Sequence, residues 1–292
     1  IDYDLDGDQD VYLLRNSFVS YSRNMSRPRE LNGEAYSTDK LFRNNGNNTY
    51  TDVSREAGIL TEGFGLGVSI AYLNEDCWPD IYVSNDFLSN DLMWINNGNG
   101  TFTNQAAVLL KHQTFNAMGN DVADYNNDGY PDIVVVDMLP EDNKRWKLTP
   151  RGNNYDEFEK GLRMGYEPQY IRNTLQLNNG NGTFSEIGQL AGIEATEWSW
   201  SALFADFDHD GRKDLFISNG YGKDITNQDF IVYGEEGQTM GLPAATKKER
   251  QELLNKIPGV KLSNYMYRNR GDLTFEDATK KWGFDAPTYS NG

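Results

Sequence analysis

Short apolar runs alternate along the chain with tight polar clusters, and one arrangement recurs. An acidic cluster leads directly into a strand-like run: DYDLDGDQDVYLL from Asp2, DYNNDGYPDIVVV from Asp124 and DFDHDGRKDLFIS from Asp206. A decayed copy, YLNEDCWPDIYVS, starts at Tyr72. A second arrangement places an apolar run before an Asn-Gly-type turn and a Thr-Phe or similar pair. It reads LFRNNGNNTYTDV from Leu41, LMWINNGNGTFTN from Leu92, LQLNNGNGTFSEI from Leu175 and YMYRNRGDLTFED from Tyr265. The two arrangements alternate strictly. Each pair predicts four strands, which in the second unit fall near 66–73, 80–85, 92–96 and 101–104, with the acidic loop joining the first two strands. Asn-Gly between apolar runs is the strongest short-range hairpin signal and joins the last two. A helical turn closed by glycine follows at Gly58, Gly192 and Gly283, where a left-handed cap is expected; Leu110 stands at that place in the second unit.

The fifth loop position runs from Asp6 to Asp76, Asp128 and Asp210, steps of 70, 52 and 82 residues. Repeated four-stranded units of this size predict an all-β fold, a β-propeller of four-stranded blades with small helical insertions. The predicted blades are 1–58, 59–112, 113–193 and 194–284, in a single region, with insertions near 17–40, 138–172 and 220–264. The first unit lacks its first strand and the chain ends about where a fifth unit would begin, so a fragment of a longer propeller is expected. Thr246 to Glu249 forms a capping box before Leu253, Leu254 and Ile257, which predicts a helix near 246–256. Tyr155, Phe158 and Leu162 hint at another around 154–165.

The chain has 292 residues, 38% hydrophobic and 24% charged, so a packed globular domain is expected. Its formal net charge of −17 argues against nucleic acid or an anionic membrane surface as partner and suits a cation. No apolar run is long enough to cross a membrane as a helix. One cysteine, Cys77, excludes a disulfide framework and is expected to be a buried or half-buried structural residue.

Carboxylates at positions 1, 3, 5 and 9 of a tight loop form a cage of hard oxygen donors of the kind calcium takes. The first loop offers the side chains of Asp2, Asp4, Asp6 and Asp10 with the Asp8 carbonyl. The third offers Asp124, Asn126, Asp128 and Asp132 with the Tyr130 carbonyl. The fourth offers Asp206, Asp208, Asp210 and Asp214 with the Arg212 carbonyl. Gly7, Gly129 and Gly211 permit the sharp turn at position 6. An EF-hand would need glutamate at position 12, where Leu13, Val135 and Ile217 stand instead. Magnesium keeps more waters and fewer protein ligands, and a solvated acidic turn without metal is the remaining alternative. The Tyr72 loop retains only Asn74, Asp76 and Asp80 and is expected to be empty or weak.

These motifs resemble the FG-GAP or VCBS repeats of integrin α-chain propellers. The stretches PDIYVSND, NNGNGTF and WSWSALFADFDHDG resemble the cartilage acidic protein family, whose members carry an ASPIC/UnbV domain. LPEDNKRWKL and DITNQDF are similar to Bacteroidetes members, typically secreted or surface-anchored lipoproteins, some found with SusC/SusD-type outer-membrane uptake systems. The resemblance implies a calcium-bound extracellular propeller, on a bacterial cell surface, that binds a protein or glycan partner. No enzyme is expected: the two histidines, His112 and His209, give little to build a catalytic constellation from. The alternative is a carbohydrate-active enzyme or its accessory subunit, with Trp78, Trp198 and Trp200 as stacking residues. Binding specificity is expected in the insertions, which carry Arg145, Trp146, Arg151, Tyr155, Tyr166, Tyr170, Tyr221, Phe230 and Tyr233.

Overall fold

The structure, a computed structural model, describes residues 1–16, 27–86, 88–149, 155–224 and 259–290, together with residues 227, 228, 255 and 257. All but residue 255 of the helix expected near 246–256, and the residues Arg151, Phe230 and Tyr233, lie outside them.

Four antiparallel meanders follow one another. The first has three strands, β1 (Val11–Leu13), β2 (Lys40–Asn44) and β3 (Tyr50–Asp52). The second is β4 (Gly65–Ala71), β5 (Asp80–Asn85), β6 (Leu92–Asn96) and β7 (Phe102–Asn104), within two residues of the expected strands at each end. After it come helix α1 (Ala106–Leu109) and a short strand β8 (Gln113–Thr114). The third meander begins with β9 (Gly119–Ala123) and β10 (Asp132–Val136). An insertion then supplies α2 (Asn143–Leu148), α3 (Tyr155–Arg163) and β11 (Gln169–Tyr170), which pairs in parallel with β8. β12 (Thr174–Asn178), β13 (Phe184–Glu186) and α4 (Gly188–Ala191) complete that blade. The fourth is β14 (Ser199–Ala205), β15 (Asp214–Asn219), β16 (Tyr265–Asn269) and β17 (Phe275–Asp277). These are successive blades of β-propeller type, and among the described residues the sheets do not close into a ring.

Both faces of β5 and β10, the second strands of the two middle blades, are buried, so their residues serve two junctions in alternation. Ile81 and Val83 join Tyr3, Leu41, Trp94 and Phe102 between the first and second blades. Tyr82 points the other way, with Leu73, Met93, Ile133, Val135 and Phe184 between the second and third. Val134 and Val136 join Tyr125, Leu175, Phe204 and Ile217 between the third and fourth. Period-two alternation with an apolar residue at every position is what a strand between two neighbouring sheets requires. The first strands stand side by side: Ser69 of β4 donates to Asn120 of β9 at 2.6 Å, and Asp121 of β9 accepts the Phe204 N–H of β14 at 2.7 Å. Gly67 and Gly119 make that approach possible, because a Cβ at Gly119 would lie 2.3 Å from the Trp200 carbonyl oxygen.

Candidate metal centres

Each acidic loop is wound by its own carboxylates. At position 1, Asp124 accepts the Asp128 and Gly129 N–H groups at 3.1 and 2.9 Å, and Asp206 those of Asp210 and Gly211 at 3.0 and 3.0 Å. Asp2 accepts the Gly7 N–H at 3.2 Å. At position 5 the carboxylate accepts the N–H of position 7: Asp6 from Asp8, Asp76 from Trp78, Asp128 from Tyr130 and Asp210 from Arg212, at 2.8–3.0 Å. Gly7, Gly129 and Gly211 take φ of 94°, 97° and 86°, as the sharp turn demands. Position 4 is left-handed too, at Leu5, Glu75, Asn127 and His209, with φ of 56–60°. Nothing in the spacing of acids announces that second strained residue. In the decayed loop Tyr72 brings no carboxylate and Cys77 takes the glycine's place at φ 68°. Cys77 is exposed, not the buried or half-buried residue expected, because position 6 lies at the outer bend.

Position 9 has a role that the spacing alone does not reveal. Asp10, Asp80, Asp132 and Asp214 each use one oxygen on the N–H of position 2, at 3.2, 2.8, 3.2 and 3.0 Å. The other oxygen accepts the N–H of the asparagine ending the third strand: Asn44, Asn96, Asn178 and Asn269, at 2.8–2.9 Å. One carboxylate therefore clamps the loop to the blade in all four units, including the decayed one. Burial pushes these acids upward, Asp80 to about 6 and Asp132 to about 7. Their other lone pairs leave them able to face a cation as well.

The first loop gathers Asp2, Asp4 and Asp10, with oxygens within 4.8 Å of one another. Asp2 Oδ1, Asp4 Oδ1 and Asp8 Oδ1 are buried there and have no hydrogen-bond partner. Asp8, expected to offer its carbonyl, thus also turns a carboxylate oxygen inward. Burial and the neighbouring acids raise the pKa of Asp4 and Asp8. A cluster of three carboxylates, two of which carry an orphaned buried oxygen, with a third such oxygen on Asp8 of the same loop, fits a hard cation. The fourth loop gathers Asp206, Asp208 and Asp210, but Arg268 of β16 reaches in, 2.6 Å from Asp208 and 3.0 Å from Asp210. Its guanidinium holds Asp208 below the usual carboxylate range. In the third loop Asn126 donates to Asp128 at 2.8 Å, and in the decayed loop Asn74 donates to Asp76 at 2.9 Å.

Residues 72–135 and 168–217 match the FG-GAP-like repeat. The matched stretches take in the Tyr72, Asp124 and Asp206 loops with the strands that follow them. Over 86 residues the chain is 38% identical to cartilage acidic protein 1 of Mus musculus, covering 28% of this chain and 13% of that protein. The chain thus spans a small part of that relative. Among solved structures it is similar to an Agrocybe aegerita lectin described as recognising non-reducing terminal N-acetylglucosamine. The identity is 16%, the coverage 85% of this chain and 51% of that one, and the TM-score 0.35. That likeness is too distant to bear on this chain's fold or ligand.

The insertion residues divide. Arg145 folds back onto the blades, bonded to Glu197 at 3.2 Å, to Asp224 at 2.9 Å and to the Tyr221 hydroxyl. Tyr221 packs on Trp198 with ring centroids 4.3 Å apart, and Tyr166 is buried with its hydroxyl on the Arg27 carbonyl. Trp146, Tyr155 and Tyr170 are exposed, Tyr155 at 74%. The second helix appears as expected, at α3, with Phe158 stacked on Tyr170. His112 lies 3.0 Å from Glu186 and 2.8 Å from Arg172, edge-on to Tyr170. Glu186 also accepts the Gly188 and Leu175 N–H groups, so the cluster pins the insertion to β13.

Proposed function

We propose that this chain is part of a non-catalytic extracellular binding module whose blades are held in register by calcium. The three orphaned, buried carboxylate oxygens of Asp2, Asp4 and Asp8 carry the reading. Asp2, Asp4, Asp6, Asp8 and Asp10 would hold one ion. Asp124, Asn126, Asp128, Asp132 and the Tyr130 carbonyl would hold a second, and Asp206, Asp208, Asp210, Asp214 and the Arg212 carbonyl a third. Bound calcium neutralises the clustered acids. The chain itself supplies the rest, by fixing position 4 in the left-handed region and tying position 9 to the third strand. The partner would be a protein or glycan met through the insertions, where Trp146, Tyr155 and Tyr170 face outward.

A surface-anchored lipoprotein serving a SusC/SusD-type outer-membrane uptake complex in a bacterium is the finer form of this reading. It rests on the LPEDNKRWKL and DITNQDF stretches. Among the described residues no helix is long and apolar enough to cross a membrane.

An ion that binds only the folded state stabilises it by mass action. Thermal melting with excess calcium and with chelator should therefore give a higher midpoint with calcium. Asp6→Ala should remove part of that difference and Asp76→Ala should leave it unchanged. Identical melting curves with and without chelator would overturn the metal reading.

A further inference from the structure

A cavity of about 310 Å³ opens between the second and third blades, and the internal repeat says what shape it takes. At two blade junctions the residue at position 2 of the acidic loop is a tyrosine. Tyr3 lies with its ring 6.0 Å from Phe102 of the next blade, and Tyr125 lies 5.5 Å from Phe275 and 6.0 Å from Phe204. Both are buried. At the junction between them position 2 is Leu73. The backbone there is held as in the others: the Leu73 carbonyl accepts from Asn178 at 3.0 Å, as Tyr3 does from Asn96 and Tyr125 from Asn269, both at 2.8 Å. The frame is conserved between the units and the ring is gone.

Leu73, which stands in that tyrosine's place, lines the cavity. Its apolar lining is Leu73, Ile95, Leu109 and Phe184, the last being the counterpart of Phe102 and Phe275. Asn74, Glu75, Gln105, Tyr130 and Asn178 supply its polar part. Leu73 and Phe184 are buried, whereas Asn74, Glu75 and Gly180 are exposed. The hydroxyl has a partner as well. Tyr125 donates to the Leu273 carbonyl at 3.4 Å, and the equivalent residue of the third blade, Gly182, lines the cavity. Concave apolar sites with one or two placed polar groups are where small ligands bind, and a cavity lined by apolar side chains admits an aromatic ring of matching size.

We infer that the junction between the second and third blades is a binding site for a small phenol-type aromatic compound, whose ring stacks on Phe184 and whose hydroxyl donates to the Gly182 carbonyl. The site adjoins the Asp124 loop through Tyr130, but the inference rests on the missing ring at Leu73 and not on metal binding.

The test is a methyl-detected NMR titration of the protein with phenol, 4-methylphenol, cyclohexanol and glucose. The expected result is saturable shifts at the Leu73, Ile95 and Leu109 methyls with the two phenols, at least fivefold weaker binding of cyclohexanol and no shifts with glucose. Leu73→Tyr restores the repeat's own ring and should weaken phenol binding at least tenfold. Leu109→Trp fills the cavity from the opposite wall and should do the same, so the test survives failure of either variant to fold. Absence of saturable shifts in the wild-type protein, shifts confined to methyls elsewhere, or undiminished phenol binding in a folded Leu73→Tyr or Leu109→Trp protein would overturn the assignment.

Discussion

Four side chains at the entrance to the third strand, three of them buried, show how single residues set the stability of the fold. Asp39, Asp91, Asn173 and Asn264 occupy the same place in successive blades, and each accepts a backbone N–H from the end of the second strand or just beyond it: Arg15, Asn85, Asp137 and Asn219, at 2.7–2.9 Å. Asp39 and Asp91 also accept the Tyr12 and Tyr82 hydroxyls, each at 2.7 Å. Burial raises Asp39 to about 6 and Asp91 to about 7, and buried Asp137 to about 7. A folded pKa above the unfolded one means that the folded state binds more protons between them. The stability these groups contribute is fully present below about pH 4 and is lost as pH rises through 6 to 7. With chelator present, the urea midpoint should rise as pH falls from 8 to 5. Asp91→Asn keeps the amide acceptor that two blades already use. It should gain on the order of 1–2 kcal/mol at pH 8 and flatten the pH dependence. An unchanged pH dependence in Asp91→Asn would show that the carboxylate was not its source.

At the scale of the loop and its strand, the ninth-position carboxylate is the joint. Removing it from the third blade orphans the Tyr125 and Asn178 N–H groups, at roughly 1–3 kcal/mol each. Asp132→Ala should therefore destabilise by on the order of 3 kcal/mol in urea unfolding, with chelator as with calcium. Asp132→Asn, which keeps one acceptor, should cost about half. A loss seen only in calcium would make the residue a ligand and nothing else. The blades themselves were legible in the sequence, because a strand between two sheets must be apolar on both faces and its hairpins need Asn-Gly. The double duty of Asp132 was not, since Asp at that spacing suits a metal cage and a backbone clamp equally. Nor were the two-residue strands β8 and β11, whose pairing depends on an insertion returning from 55 residues away, as the Gln169–Thr114 contact records. The ion pairs of Arg145 were not legible either, for a related reason: an insertion arginine finds Glu197 and Asp224 only once the chain has folded.

Across the whole molecule the repeats divide the work unevenly. Leu66, Val68 and Ile70 of β4 share a face with Ile81 and Val83 but remain exposed, because the first blade contributes three strands among the described residues. Leu203 of β14 is exposed at the other end of the arc. Between those ends the junctions are closed by aromatic stacking at Tyr3 and Tyr125 and left open at Leu73. The acidic loops follow the same uneven course: orphaned oxygens in the first, an asparagine in the third, an arginine counter-ion in the fourth and a missing first carboxylate in the second. Calcium occupancy should mirror that order. The direct measurement is to locate and count bound calcium by anomalous diffraction from crystals grown across a calcium series. The account predicts three ions, at the Asp2, Asp124 and Asp206 loops, with the Asp206 loop filling last and filling earlier in Arg268→Ala. A fully coordinated ion in the Tyr72 loop, or no ion in the Asp2 loop at millimolar calcium, would contradict it.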